Sequence, residues 1–85
     1  MYKVFKRQVW IRNPSWPEGY EPLAIPMDDC RTIHRVATEE EARNICRAAN
    51  RKWRKHIDRV QDGTASATQR KTYYESDRYE YTEVW

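Results

Sequence analysis

The sequence predicts an α+β domain, a small antiparallel sheet of three to four strands with one long amphipathic helix packed on one face, in the order β-β-α-β or β-β-α-β-β. Three observations carry this expectation. Two segments rich in β-formers precede a capped stretch of helical periodicity, a tyrosine-rich β-like segment follows it, and all four prolines are confined to a loop between the first two segments. With 85 residues there is room for a single domain, residues 1–85, and one modest core, because small chains bury a smaller share of their surface. Four Trp and six Tyr make the chain too aromatic for a disordered one.

Tyr2 to Arg12 reads as the first strand, with Val4, Phe5, Val9, Trp10 and Ile11 interleaved with Lys3, Lys6, Arg7 and Arg12. Its alternation is imperfect, so either both faces are partly covered or a bulge near Lys6 to Gln8 changes the phase. Asn13 to Pro26 holds the prolines and reads as a long structured loop, because each proline removes a backbone donor and fixes φ. Trp16 and Tyr20 within it either pin the loop by packing or contact a ligand. Arg31 to Ala37 reads as the second strand.

The organising element is a helix expected from Glu39 to Gln61. Thr38 with Glu41 three residues on has the pattern of a capping box, and Glu39 and Glu40 add negative charge at the positive end of the helix dipole. Ala42, Ile45, Cys46, Ala49, Trp53, Ile57 and Val60 recur at three- and four-residue intervals, with His56 on the same stripe. Asp62-Gly63 ends the helix. Thr64 to Gln69 reads as a mobile loop and Arg70 to Trp85 as β-like, with Ser76-Asp77 either turning a hairpin or kinking one long strand. The first strand carries only positive charge and the last segment Glu75, Asp77, Glu80 and Glu83, so the two are expected side by side.

Chemistry-bearing residues are sparse. Cys30, His34, Cys46 and His56 are the right types for zinc, but their spacing matches no finger or ribbon, and no metal or cofactor is expected. A Cys30–Cys46 disulfide and a Cys/His nucleophile pair remain open on spacing alone. No oxyanion device supports the pair, and Asp28-Asp29 and Glu39-Glu40-Glu41 read as a loop and a helix cap, so no catalytic residue is assigned and an enzyme is not expected. With only Gly19 and Gly63, there is no phosphate-cradling glycine loop.

The informative surface is the outer face of the helix. Arg43, Arg47, Arg51, Lys52, Arg54, Lys55 and Arg59 lie away from the stripe, with Asp58 the only acid between Ala42 and Val60. Charge runs usually mark a solvated face, but crowded cations without counter-charges point to an acidic partner. This basic helix face is the first candidate binding surface, and Trp16 with Tyr20 is the second. If the partner is nucleic acid, Tyr73, Tyr74, Tyr79 and Tyr81 are candidate base-stacking residues. No apolar run reaches signal-peptide or membrane-span length, and the expected location is the cytoplasm of a host cell, with no membrane partner and no small-molecule substrate.

The N-terminal strand, the Trp- and Pro-bearing loop, Thr38-Glu39-Glu40-Glu41-Ala42 with Cys46 and Asn50, and the Tyr/Glu-rich final strand together resemble the very small α/β proteins of bacteriophages and mobile elements. Anti-CRISPR and other host-takeover inhibitors are among those proteins. The resemblance implies a non-enzymatic protein that binds and blocks a host protein or ribonucleoprotein assembly, such as a CRISPR effector, and it carries over no site residues. The alternative is a small nucleic-acid-binding protein that uses the basic helix face.

Overall fold

The computed structural model describes residues 1–26 and 30–85. Asp28-Asp29 lies outside the described residues. Strand β1 (Tyr2–Arg7) is the centre of a three-stranded antiparallel sheet, with β4 (Arg31–Val36) on one side and β5 (Arg78–Glu83) on the other. A separate hairpin pairs β2 (Trp10–Arg12) with β3 (Tyr20–Pro22). Three helices follow in the order α1 (Glu39–Arg54), α2 (Ile57–Gln61) and α3 (Ala67–Glu75), the last leading directly into β5.

The main sheet has the expected antiparallel form, and α1 lies across it. β1 is covered on both faces, since its neighbouring residues Val4 and Phe5 point to opposite sides and are 0% and 2% exposed. Val4 packs with Ala42 and Cys46 of α1, ringed by Tyr2, Val36, Ile45, Tyr79 and Tyr81. The register irregularity falls elsewhere than expected. Opposite β4 the pairing steps from Val4–His34 to Phe5–Thr32, so Ile33 is the extra residue, while pairing with β5 is continuous from Tyr2–Glu83 to Arg7–Arg78. The charge argument for pairing the first and last strands holds: Arg7 Nη2 lies 2.9 Å from Glu80 Oε1, and Lys6 Nζ 3.6 Å from Asp77 Oδ2. Both pairs are partly exposed, so they favour the register more than they stabilise the fold.

Four expectations are corrected. The first strand is not continuous to Arg12. It ends at Arg7, and Val9 turns to a second partner, its carbonyl accepting from Leu23 N at 2.8 Å. The proline segment contains a strand after all, because Pro22 sits at the end of β3 in a two-stranded ribbon where an outward-facing position needs no donor. The intervening turn is closed by Asn13 N donating to Gly19 O at 2.9 Å and Gly19 N to Trp16 O at 2.9 Å, with Gly19 at φ +80°.

The long helix stops at Arg54 rather than Gln61. His56 N bonds to Trp53 O at 3.1 Å, a tightened last turn that redirects the chain so that α2 packs on α3, with Ile57 and Val60 half-buried. Gly63 still supplies the positive φ past the end, at +78°. The largest departure is α3, where the sequence reads as loop and strand. Ser66 Oγ accepts from Gln69 N at 3.2 Å and Gln69 Oε1 accepts from Ser66 N at 2.9 Å, a reciprocal capping box that starts the helix. Ser76-Asp77 is therefore a helix-to-strand junction, neither a hairpin nor a kink in one strand.

Candidate functional site

α1 begins at Thr38, whose Oγ1 accepts from Glu41 N at 3.2 Å, one half of the expected capping box. Behind its outer face the helix is held by two side chains that sequence reasoning did not single out for the site. Asn50 treats the open edge of β5 as a neighbouring strand would. Its Nδ2 donates to Tyr79 O at 2.9 Å, and its Oδ1 accepts from Tyr79 N at 2.9 Å and from Trp53 Nε1 at 3.0 Å. Arg78 is 8% exposed, with its guanidinium 3.8 Å from the Trp53 ring centroid and 4.9 Å from that of Tyr73. It donates to Tyr73 O at 2.7 Å and Ser76 O at 2.8 Å, satisfying carbonyls at the end of α3. Burial pulls its pKa below the usual arginine value, against the opposing influence of Tyr73.

α3 carries the aromatic ledger of the fold on two neighbouring residues. Tyr74 stacks on Tyr20 with centroids 4.5 Å apart and planes at 9°, and meets Trp10 edge-on at 5.1 Å. Tyr73 meets Trp53 edge-on at 5.9 Å. Tyr74 Oη donates to Glu18 at 3.0 Å, Tyr20 Oη donates to Glu75 at 2.9 Å, and Arg70 donates to Glu18 O at 3.0 Å, which clamps the hairpin to α3. Burial, reinforced by these carboxylate acceptors, raises the pKa of Tyr20 and Tyr74 above the ordinary phenol value.

These contacts decide the fate of the aromatic candidates. Tyr20 is a packing residue. Tyr74, only 4% exposed, offers no face to a base, Tyr73 is engaged with Trp53 and Arg78, and Tyr79 and Tyr81 pack beneath α1. The base-stacking expectation for the tyrosines is thereby corrected. Trp16 stands apart at the hairpin tip, 40% exposed.

Arg43, Arg47, Arg51, Lys52, Arg54, Lys55 and Arg59 are all exposed, but they do not form one face. Arg43, Arg47, Arg51 and Arg54 fall within an arc of about 80° at about 100° per residue. This ridge is about 16 Å long at the rise of an α-helix. Lys52 lies on the other flank, lining a cavity of about 200 Å³ with Ala49, Glu75, Ser76, Asp77 and Tyr79. Lys55 sits in the turn after α1, and Arg59 is carried away on α2. Arg43 is paired with Glu39 at 3.1 Å. Among the described residues, Arg47, Arg51, Lys52, Arg54, Lys55 and Arg59 have no carboxylate within bridging distance, the ion pairs being those of Lys6, Arg7 and Arg43.

The thiols and imidazoles are not brought together as a site. Cys30 and Cys46 are both free, so no disulfide joins them. Cys46 is buried on the inner face of α1, and burial raises its thiol pKa, helped by Glu80. Cys30 Sγ donates to Pro26 O at 3.4 Å. Among the described residues, no group of three or more His, Cys, Asp or Glu is placed to hold a metal ion, and no helix is long and apolar enough to cross a membrane. Comparison with known protein families, curated proteins and solved structures found no match.

Proposed function

We propose that the protein is a non-enzymatic binding protein that acts in the cytoplasm of a host cell by covering an acidic surface of a larger host protein or ribonucleoprotein assembly. The reading agrees with the resemblance to phage-encoded inhibitors such as anti-CRISPR proteins, which bind and block. The observation that carries it is the arginine ridge of α1, with Arg47, Arg51 and Arg54 exposed and without carboxylate partners among the described residues. Cations at this spacing repel one another, and a protein gains nothing in fold from leaving them uncompensated. An acidic partner would relieve that repulsion on binding. The Trp16 tip, on the β2–β3 hairpin, is a second contact surface.

The test is capture from host extract, with and without nuclease, by the wild-type chain, by Arg47→Glu/Arg51→Glu/Arg54→Glu and by Trp16→Ala. The triple reversal is expected to lose the partner while keeping the wild-type circular dichroism spectrum and thermal midpoint within a few degrees, since exposed substitutions usually cost little. Undiminished capture by a folded triple variant would refute the assignment of this surface.

A further inference from the structure

We infer that the α1 ridge seats against the phosphate backbone of duplex DNA, without reading its sequence. It rests on the assignment of the α1 outer face as the contact surface and goes beyond the proposed function by giving that surface a nucleic-acid partner. The face lacks an apolar anchor. From Arg43 to Lys55 its exposed residues are Arg43, Asn44, Arg47, Ala48, Arg51, Lys52, Arg54 and Lys55, while the exposed large hydrophobic residues among those described are Met1, Ile11, Trp16 and Trp85, none of them on α1. The centre of a protein–protein interface is depleted in charge and built around aromatic or aliphatic anchors. Interfaces with nucleic acid are more polar and far more positive, which is the composition found here.

The face also suits a duplex better than a single strand. Single-stranded chains are held by a basic groove together with aromatic faces on which bases stack. The tyrosines near α1 are spent in packing: Tyr73 under Arg78, Tyr74 between Trp10 and Tyr20, and Tyr79 and Tyr81 beneath the helix. Cations without a stacking platform suit a duplex, whose phosphates stand in continuous lines whatever the base sequence.

The layout of the charges suits DNA better than RNA. Arg43, Arg47, Arg51 and Arg54 stand on one flank of the exposed arc and Lys52 on the other, with the small Asn44 and Ala48 between them. A B-form major groove about 12 Å wide admits a helix whose flanks face the two phosphate walls. The major groove of A-form RNA is too narrow. Local acids set the centre of contact: Glu40 and Glu41 are exposed at the start of the helix, Glu39 occupies Arg43, and Glu75 and Asp77 share the cavity with Lys52. Arg47, Arg51 and Arg54 are left as the main phosphate contacts.

The experiment measures binding of the full chain to a fluorescent duplex DNA of random sequence, about 20 base pairs long, as salt rises from about 50 to 200 mM. Three phosphate contacts predict a slope of about −2.7 in log affinity against log salt, a loss of about 40-fold across that range, with little dependence on sequence. Arg51→Gln should lower the slope by about one while Lys3→Gln leaves it unchanged. Single-stranded DNA and duplex RNA of the same length should bind several-fold more weakly. Equal or tighter binding of either, or an Arg51→Gln slope equal to wild type, would overturn the inference. Absence of duplex binding at low salt would overturn it as well. If duplex DNA fails while the triple reversal still loses its host partner, the α1 surface stands and the partner is an acidic protein. If the reversal also keeps its partner, both readings fall.

Discussion

Replacing Asn50 with alanine removes three hydrogen bonds at once, two of which join α1 to β5 while the third lies within α1. Two of them satisfy the N–H and C=O of Tyr79 on the free edge of β5, each at 2.9 Å, and the third holds the Trp53 indole at 3.0 Å. A stranded backbone group costs about 1–3 kcal/mol when buried. Here the site is partly buried and water can replace some of what is lost, so the lower end applies and the total is about 2–3 kcal/mol. For a domain of this size that corresponds to a fall of about 10–20 °C in thermal midpoint. Thermal and urea unfolding followed by circular dichroism read the global change. Hydrogen exchange at the Tyr79 amide reads the local one and should accelerate by at least about tenfold. Asn50→Asp separates the two roles, because a carboxylate still accepts from Tyr79 N and Trp53 Nε1 but cannot donate to Tyr79 O. It should lose stability while leaving the Tyr79 amide protected. An alanine variant with the wild-type midpoint and unchanged Tyr79 exchange would refute the idea that this side chain closes the sheet edge.

Arg78→Met keeps the volume beneath Trp53 but leaves the Tyr73 and Ser76 carbonyls without their donor, and should cost about 3–5 kcal/mol in urea unfolding; a wild-type midpoint would show that the buried cation is dispensable. Cys46, buried and with its thiol pKa raised chiefly by burial, should react with an aromatic disulfide reagent only on unfolding, while half-buried Cys30 reacts in the native state. Two fast thiols in the native protein would contradict this packing. Tyr20 and Tyr74 have folded-state pKa values raised above 10.0, so the stability they contribute is intact below pH 10 and is lost as the pH climbs through their folded values. Tyr74→Phe should shallow the alkaline arm of the stability profile, and an unaltered arm would remove Tyr74 from that linkage.

The parts of the fold that could be read from the chain are those where one local signal dominates. Thr38 and Glu41 mark the start of α1, and the stripe from Ala42 to Trp53 marks its inner face. The positive β1 and acidic β5 were legible as neighbours from charge alone. The break at Lys55-His56 was not, because neither glycine nor proline stands there and the turn is imposed by the docking of α2 on α3. α3 was hidden behind the β-propensity of Thr72-Tyr73-Tyr74, although Ser66 and Gln69 have the spacing that identifies a helix start. Tertiary packing of Tyr74 between Trp10 and Tyr20 outweighed intrinsic preference. For the surface, helical periodicity was enough to find the ridge of Arg43, Arg47, Arg51 and Arg54. It could not reveal that Arg59 departs with α2, that Lys52 shares a cavity with two carboxylates, or that Tyr20 is spent on packing, since each depends on an element placed by distant residues.

The central position of β1 also orders events during synthesis. Its first partner, β4, ends at Val36, but its second, β5, ends at Glu83. At about 5–20 residues per second the ribosome delivers the two several seconds apart. For that interval the nascent chain holds a β1–β4 ribbon whose inner strand has one bare edge, beside the apolar side chains of Val4 and Phe5. α1 emerges in time to shield one face, while the bare edge waits for a segment that follows α3 in the chain. Closure between residues so far apart in sequence is the slow, non-local kind of step. The newborn protein is therefore most vulnerable to wrong strand pairing just before its sheet is complete.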